Sequence, residues 1–340
     1  MKLDINIRIF LIALFFSLLA SAFNAKVSHA QVPTVTVANN NDICAGNPVT
    51  GGIFTQIDAG GSCEFQPDVQ KINFYKLELC TEAPIGPATS TIADNSKCVT
   101  FYQNDGGSFV TVKRNAGTQI GRAEDYSSIP HGTYTHGVVT MGAIFKFKTK
   151  VTFDAAMLDN GGVNGTTTCV TKTSALGKIY GRQENLQTFE SGNVSCLSGA
   201  VAEEIELAVN TLTTGPNDND CNHLINFTGS SGTVAAYLLE SDMTLVNGVG
   251  DVDTDQIKDG TTGCKPNVDN GVARILGIME YETPIVIGPS TAGLQMKYNN
   301  LRGMAIDMNS STDHKFWKWD MSFFDFTLTA IKSRARGAWR

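Results

Sequence analysis

Charge is scarce in this chain. Only 17% of its 340 residues are charged, and 33 Asp and Glu outnumber 26 Lys and Arg, for a formal net charge of −7. Such a chain has no general electrostatic route to nucleic acid, which is bound through clustered cations. Catalytic signatures are missing as well. There is no His-Glu-x-x-His, no Gly-x-Ser-x-Gly and no glycine-rich phosphate loop. Zinc-peptidase, α/β-hydrolase and nucleotide-binding chemistry therefore have no motif to rest on. No Cys-x-x-Cys occurs, which disfavours zinc ribbons and thioredoxin-like redox sites. After the first 30 residues no run approaches the roughly 18 apolar residues of a membrane-spanning helix. The basic ending Lys332 to Arg340 lacks an aromatic terminus, and few stretches have the length and lipid-facing band of an outer-membrane barrel strand.

What the chain does have begins with a leader. Lys2 and Arg8 precede an apolar run from Ile9 to Leu19, and Ser28-His29-Ala30 before Gln31 fits a small-x-small cleavage rule. Residues 1–30 are expected to be a cleavable signal peptide. Cleavage there would leave a more acidic chain, near −9 by the same charge count. The first Cys is Cys44, too late for a lipid anchor at the cleavage site. The expected location is outside the cytoplasm: secreted, extracellular or at the cell surface, or in the periplasm, with no transmembrane span after cleavage.

All eight cysteines follow the leader: Cys44, Cys63, Cys80, Cys98, Cys169, Cys196, Cys221 and Cys264. An even number in an exported chain reads as disulfides. Sequential pairing is expected, because each neighbouring pair brackets a loop. The clearest pair is Cys80 with Cys98. Each borders a strand-like run, and Pro84, Gly86 and Pro87 lie in the loop between.

High Gly, Ser, Thr and Asn content indicates a β-protein with many turns. Strands are expected at 34–38, 71–79, 99–102, 109–113 and 133–141, with a Gly106-Gly107 turn between the third and fourth. From Ile144 to Phe153 the alternation is strict, with Phe145, Phe147, Val151 and Phe153 on one face and Lys146, Lys148 and Lys150 on the other. Residues 201–212 read as a helix or as a strand. Several strand pieces fall between Val272 and Met308. The run Phe316 to Ile331 changes parity at Phe323-Phe324, which one bulged long strand would explain. Residues 155–168, rich in Asn, Gly and Thr, read as a linker. The expected fold is mainly β: an antiparallel β-sandwich in two disulfide-stapled domains, 31–155 and 156–340.

Few side chains suggest a site. Asp251, Asp253, Asp255 and Asp259 have the alternate spacing that gathers oxygens around Ca²⁺. Gln256 and Thr262 stand where a calcium loop of the EF-hand type has Gly and Glu. Asp218, Asp220 and Asn222 form a weaker version. No other cofactor is implied. His131 and His136 are five apart and point to opposite faces of a strand, and His223 and His314 are isolated. The Lys146, Lys148 and Lys150 stripe is either an anion-binding face or a solvated face that discourages edge pairing. Trp317, Trp319 and Trp339 suit core packing or stacking on sugars, and Trp317 and Trp319 share a face of their strand. Asn164, Asn193, Asn226 and Asn309 begin glycosylation sequons of the kind chance produces in Asn- and Thr-rich chains.

Residues 71–153, which include Ile129-Pro130-His131-Gly132-Thr133-Tyr134-Thr135, resemble the secreted prealbumin-like β-sandwich modules of bacteria, in which a Pro-x-Gly-x-Tyr element begins a late strand. The resemblance implies a structural or carrier role and transfers no catalytic residue. The leading expectation is a non-enzymatic extracellular or cell-surface protein, structural or adhesive and able to self-assemble. Its partners would be a second copy, surface glycans or surface proteins, and not nucleic acid. A secreted carbohydrate- or Ca²⁺-binding module is the second reading. A secreted hydrolase, with a site assembled from distant residues, is the third.

Overall fold

A computed structural model describes residues 62–113, 118–152, 156, 165–173, 179–180, 194–209, 224–229, 232–246, 272–299, 303–308, 316–321 and 325–332. All belong to one compact unit, Asn39–Arg340. Strands dominate. Among the described residues there is no α-helix, only a 3-10 turn at Ala123–Asp125. The strands are β1 (Ser62–Phe65), β2 (Val69–Cys80), β3 (Cys98–Lys113), β4 (Gly132–Gly142), β5 (Ile144–Lys148), β6 (Lys150–Thr152), β7 (Thr168–Thr171), β8 (Ile179–Tyr180) and β9 (Val194–Ser195). They continue with β10 (Ile205–Ala208), β11 (Leu224–Gly229), β12 (Gly232–Leu239), β13 (Arg274–Ile287), β14 (Thr291–Asn299), β15 (Met304–Met308), β16 (Phe316–Met321) and β17 (Asp325–Lys332).

Strand β2 organises a nine-stranded sheet. β3 lies antiparallel along one side, from Val69↔Lys113 to Cys80↔Cys98. On the other side β4 and β5 lie end to end, from Cys80↔His136 to Val69↔Lys148. The sheet then forks. β4 passes to β13, β12 and β11, while β5 passes to β10 and β8. The short β10–β8 pairing is parallel and the rest are antiparallel.

Alternation places the core. Ile72, Phe74, Leu77 and Leu79 of β2 enter one large cluster with Phe145, Phe147, Ile275 and Met279. Three smaller sheets, β1–β15–β16, β14–β17 and β6–β7–β9, supply Phe65, Met304, Leu328, Val151, Val194 and the Cys169 and Cys196 sulfurs to the same cluster. This is two-layer packing of strands around a shared core. Residues of opposite parity, Cys80, Val138, Leu276 and Ile278, form a second cluster on the other face with Leu239 and Leu245. Phe145 and Phe147 are fully buried, with ring centroids 6.5 Å apart. Burial of each such side chain stabilises by about 2–3 kcal/mol.

Several expectations are refined. The mainly β fold is as expected. Of residues 201–212, the described part, 201–209, contributes a strand, β10, and not a helix. The Gly106-Gly107 pair does not separate two strands. The register of β3 against β2 shifts between Phe74 and Lys76, and residues 104–107 are absorbed there within one 16-residue strand, with Gly107 at φ +74. The strand expected at 144–153 is two strands. Thr149 donates its N–H to Thr171 Oγ1 at 3.1 Å, and Asp68 accepts the Lys150 N–H at 3.1 Å. The chain thereby leaves the large sheet and joins β7. The faces are as expected, with Phe145, Phe147 and Val151 buried and Lys148 and Lys150 exposed. The parity change near Phe323 marks a change of sheet, since β16 pairs with β15 and β17 with β14.

Strand pairing also crosses the division drawn between residues 155 and 156. β4 pairs with β13 and β5 with β10, so strands after residue 155 extend the sheet begun before it.

Candidate functional site

The loop between β2 and β3 gathers most of the chemistry described. Cys80 and Cys98 face each other in register and are bridged, with Cα atoms 3.9 Å apart. The enclosed segment is a small hairpin of its own, with bridges Ile85↔Asp94 and Ala88↔Thr91. It is docked at two points. Leu245 donates its N–H to the Ala88 carbonyl at 3.1 Å. Gly86 lies so close to Tyr237 that a Cβ would stand 2.3 Å from the phenol oxygen. Asp94 accepts the Ser96 N–H at 2.9 Å, and this bond lowers its pKa below the ordinary carboxylate value. So held, the loop presents Ile85 and Ile92 to solvent, 68% and 62% exposed.

At its base lies a polar cluster. Lys76, Glu78 and Cys80 share one face of β2 by the period of the strand. Glu78 is only 4% exposed. Its Oε1 accepts from Lys76 Nζ at 2.8 Å and from Thr100 Oγ1 at 3.0 Å, and its Oε2 accepts from Asn95 Nδ2 at 2.7 Å. Asn95 Oδ1 is buried and has no hydrogen-bond partner. A buried carboxylate is tolerated when paired and hydrogen-bonded in this way. Sequence reading passed over these residues. The available signal was Lys-x-Glu-x-Cys: two charged residues on the face whose cysteine is bridged must themselves be covered.

The second disulfide, Cys169–Cys196, closes a loop of sequence separation 27, beside exposed Leu197 and Val201. Both described pairs follow the sequential pairing expected. Nearby, Glu203 accepts from Lys172 Nζ, from Thr173 Oγ1 and from the Thr173 N–H at 3.0 Å. The Lys172 ammonium first, and then the Thr173 hydroxyl and amide, hold its carboxyl at about 2.

The expected cationic stripe is partly neutralised. Lys146 sits directly across from Glu206 and pairs with it at 2.9 Å, reaches Glu204 at 3.8 Å, and lies 4.9 Å from the Phe109 ring centroid. Lys71 pairs with Glu204 at 2.5 Å. Of the histidines, His131 is exposed, and His136 contacts Thr135 Oγ1 through Nδ1 at 2.8 Å. Trp317 and Trp319 lie in β16, and Asn226 lies exposed in β11. The proposed Ca²⁺ ligands Asp251, Asp253, Asp255 and Asp259 lie outside the described residues, as do Asp218, Asp220, His223, His314, Trp339, Cys44, Cys221 and Cys264. Cys63 belongs to β1, and its pairing also falls outside what is described.

Among the described residues no three His, Cys, Asp or Glu side chains gather as for a metal ion, and no helix is long and apolar enough to cross a membrane. Comparison with family models, with curated proteins and with solved structures finds no match to this chain.

Proposed function

We propose that this chain is an exported, non-enzymatic structural or adhesive protein of the cell exterior, which associates with further copies of itself. The observation that carries the reading is the Cys80–Cys98 loop. A disulfide, the hydrogen bond from Asn95 Nδ2 to buried Glu78 and two docking contacts fix a short hairpin whose outward residues are Ile85 and Ile92. Rigid display of large apolar side chains lowers the ordering entropy lost on association. Singly exposed apolar residues are ordinary; two on one stapled loop suit a contact. The strongly hydrogen-bonded carboxylates Glu78 and Glu203 hold strands and loops together, which favours a scaffold over a reaction centre. Export supports the reading through the leader and the two disulfides, which persist in oxidising compartments.

The test has two parts. N-terminal sequencing of protein recovered from outside the cytoplasm is expected to begin at Gln31. Sedimentation velocity and negative-stain imaging of that form at rising concentration are expected to show assemblies. An Ile85→Ser/Ile92→Ser double variant is expected to stay monomeric with an unchanged circular dichroism spectrum. Monomers alone at high concentration would sink the self-association, and an unprocessed chain in the cytoplasm would sink the export.

A further inference from the structure

We propose that β11 is the seam of a two-fold dimer, in which the edge strands of two copies pair antiparallel and join their sheets. The proposal rests on the self-association put forward above and names the surface that carries it. Among the described residues β11 pairs only with β12, and so ends one arm of the nine-stranded sheet. An edge strand offers alternate N–H and C=O groups to a newcomer, and proteins ordinarily guard it with Lys, Pro, a bulge, short length or a cover. The other edges of this sheet are guarded. β8 is two residues long. β3 holds Asp105 and Lys113, and its outer side is covered where Ser127 donates its N–H to the Phe101 carbonyl at 3.0 Å and where Thr118 Oγ1 donates to the Thr111 carbonyl at 2.8 Å. β11 has no such device. Its sequence, Leu-Ile-Asn-Phe-Thr-Gly, carries neither charge nor proline, and its register runs without a bulge from Leu224↔Tyr237 to Gly229↔Gly232. Short uncharged segments of this composition take up a further strand readily.

The occupant is a second copy. Backbone pairing needs a strand, and under a two-fold axis this strand matches itself, each donor meeting an acceptor and each residue one of its own parity. Copies of a chain with net charge −7 repel one another, and a seam without charge is where that repulsion is least. The edge is also continuous with the stapled loop. Leu224 lies directly across from Tyr237, so the two share a face of the sheet. The Tyr237 phenol packs against Gly86, the neighbour of Ile85. Leu224 is 39% exposed, and Asn226 and Thr228 on the same face are exposed as well. An axis beside β11 brings the Leu224 side chains and the Ile85 loops of both copies to one face of the joined sheet, where apolar contact adds to the strand pairing. With Asn226 nearest the axis, Leu224 of each copy stands across from Thr228 of the other. Such a contact closes on itself, so the product is a dimer.

The experiment is sedimentation velocity of the processed chain at rising concentration, with hydrogen exchange followed in the peptide covering 224–229. The parent is expected to form dimers, and exchange in that peptide is expected to slow as they form. Asn226→Lys sets two ammonium groups against each other across the axis and is expected to weaken the dimer by about tenfold or more. Asn226→Glu is expected to do the same with two carboxylates. An equimolar mixture of these two variants is expected to dimerise again, because unlike charges then meet across the axis, a recovery that a misfolded chain cannot give. Assembly of the parent that both variants leave unchanged would overturn the β11 seam while the self-association stands. No recovery in the mixture, or exchange in 224–229 indifferent to concentration, would also overturn the seam alone. Monomers alone in the parent would remove the self-association and the seam together.

Discussion

Removing the Cys80–Cys98 bridge tests how the exposed loop is held. The perturbation is Cys80→Ala with Cys98→Ala. The bridge spans a sequence separation of 18. In the chain-entropy model a loop of that size contributes about 3 kcal/mol. Cys80 is fully buried, so deleting the sulfurs adds a cavity loss of about 1 kcal/mol. The loss is therefore expected to be about 4 kcal/mol. The assay is urea unfolding followed by fluorescence, with slopes compared so that denatured-state changes are detected. A loss below about 1 kcal/mol would refute the entropic account of the bridge.

Three further outcomes are expected. Glu203, held at about 2 against an ordinary 4.5, contributes stability that is full above its ordinary pKa and is lost as pH falls towards about 2. Glu203→Gln should therefore flatten the melting temperature between those two values, as differential scanning calorimetry would show. Gly232 has φ +150, and a Cβ there would stand 1.7 Å from the Glu280 carbonyl oxygen. Gly232→Ala is expected to cost about 1–3 kcal/mol and to speed hydrogen exchange in β12. Phe147→Ala, at a fully buried position against Phe145, is expected to cost about 3–5 kcal/mol in chemical denaturation, while Lys148→Ala changes little.

Much of the strand content was legible because alternation is local. Phe145, Phe147 and Val151 against Lys146, Lys148 and Lys150 could be read from spacing alone, and the structure buries one set and leaves Lys148 and Lys150 in water. Partnership was less legible. Nothing local to Thr149 says that the strand ends there, because the stop is made by Asp68 and Thr171, remote in sequence. The parity change near Phe323 was visible, but a bulge and a change of sheet leave the same trace. The two described cysteine pairs followed from proximity in sequence, as loops closed by hairpin-like strands allow. The Lys76, Glu78 and Asn95 cluster was hidden for another reason. Asn95 joins Lys76 and Glu78 only when the loop folds back over β2, and a single charged pair on a strand ordinarily reads as a solvated face.

The forked sheet also bears on when this chain can fold. β2 can find β3 early, since a single stapled loop separates them. Its other neighbour is completed only when Gly142 meets Arg274 and His136 meets Glu280, pairings from opposite halves of the chain. Topologies with such distant contacts fold slowly, because loop closure must be met before burial rewards it. The central strands therefore stay unfinished until the last third of the sequence is present. Under the export proposed above, such delay would be an advantage, because a chain that completes its sheet late stays open to translocation.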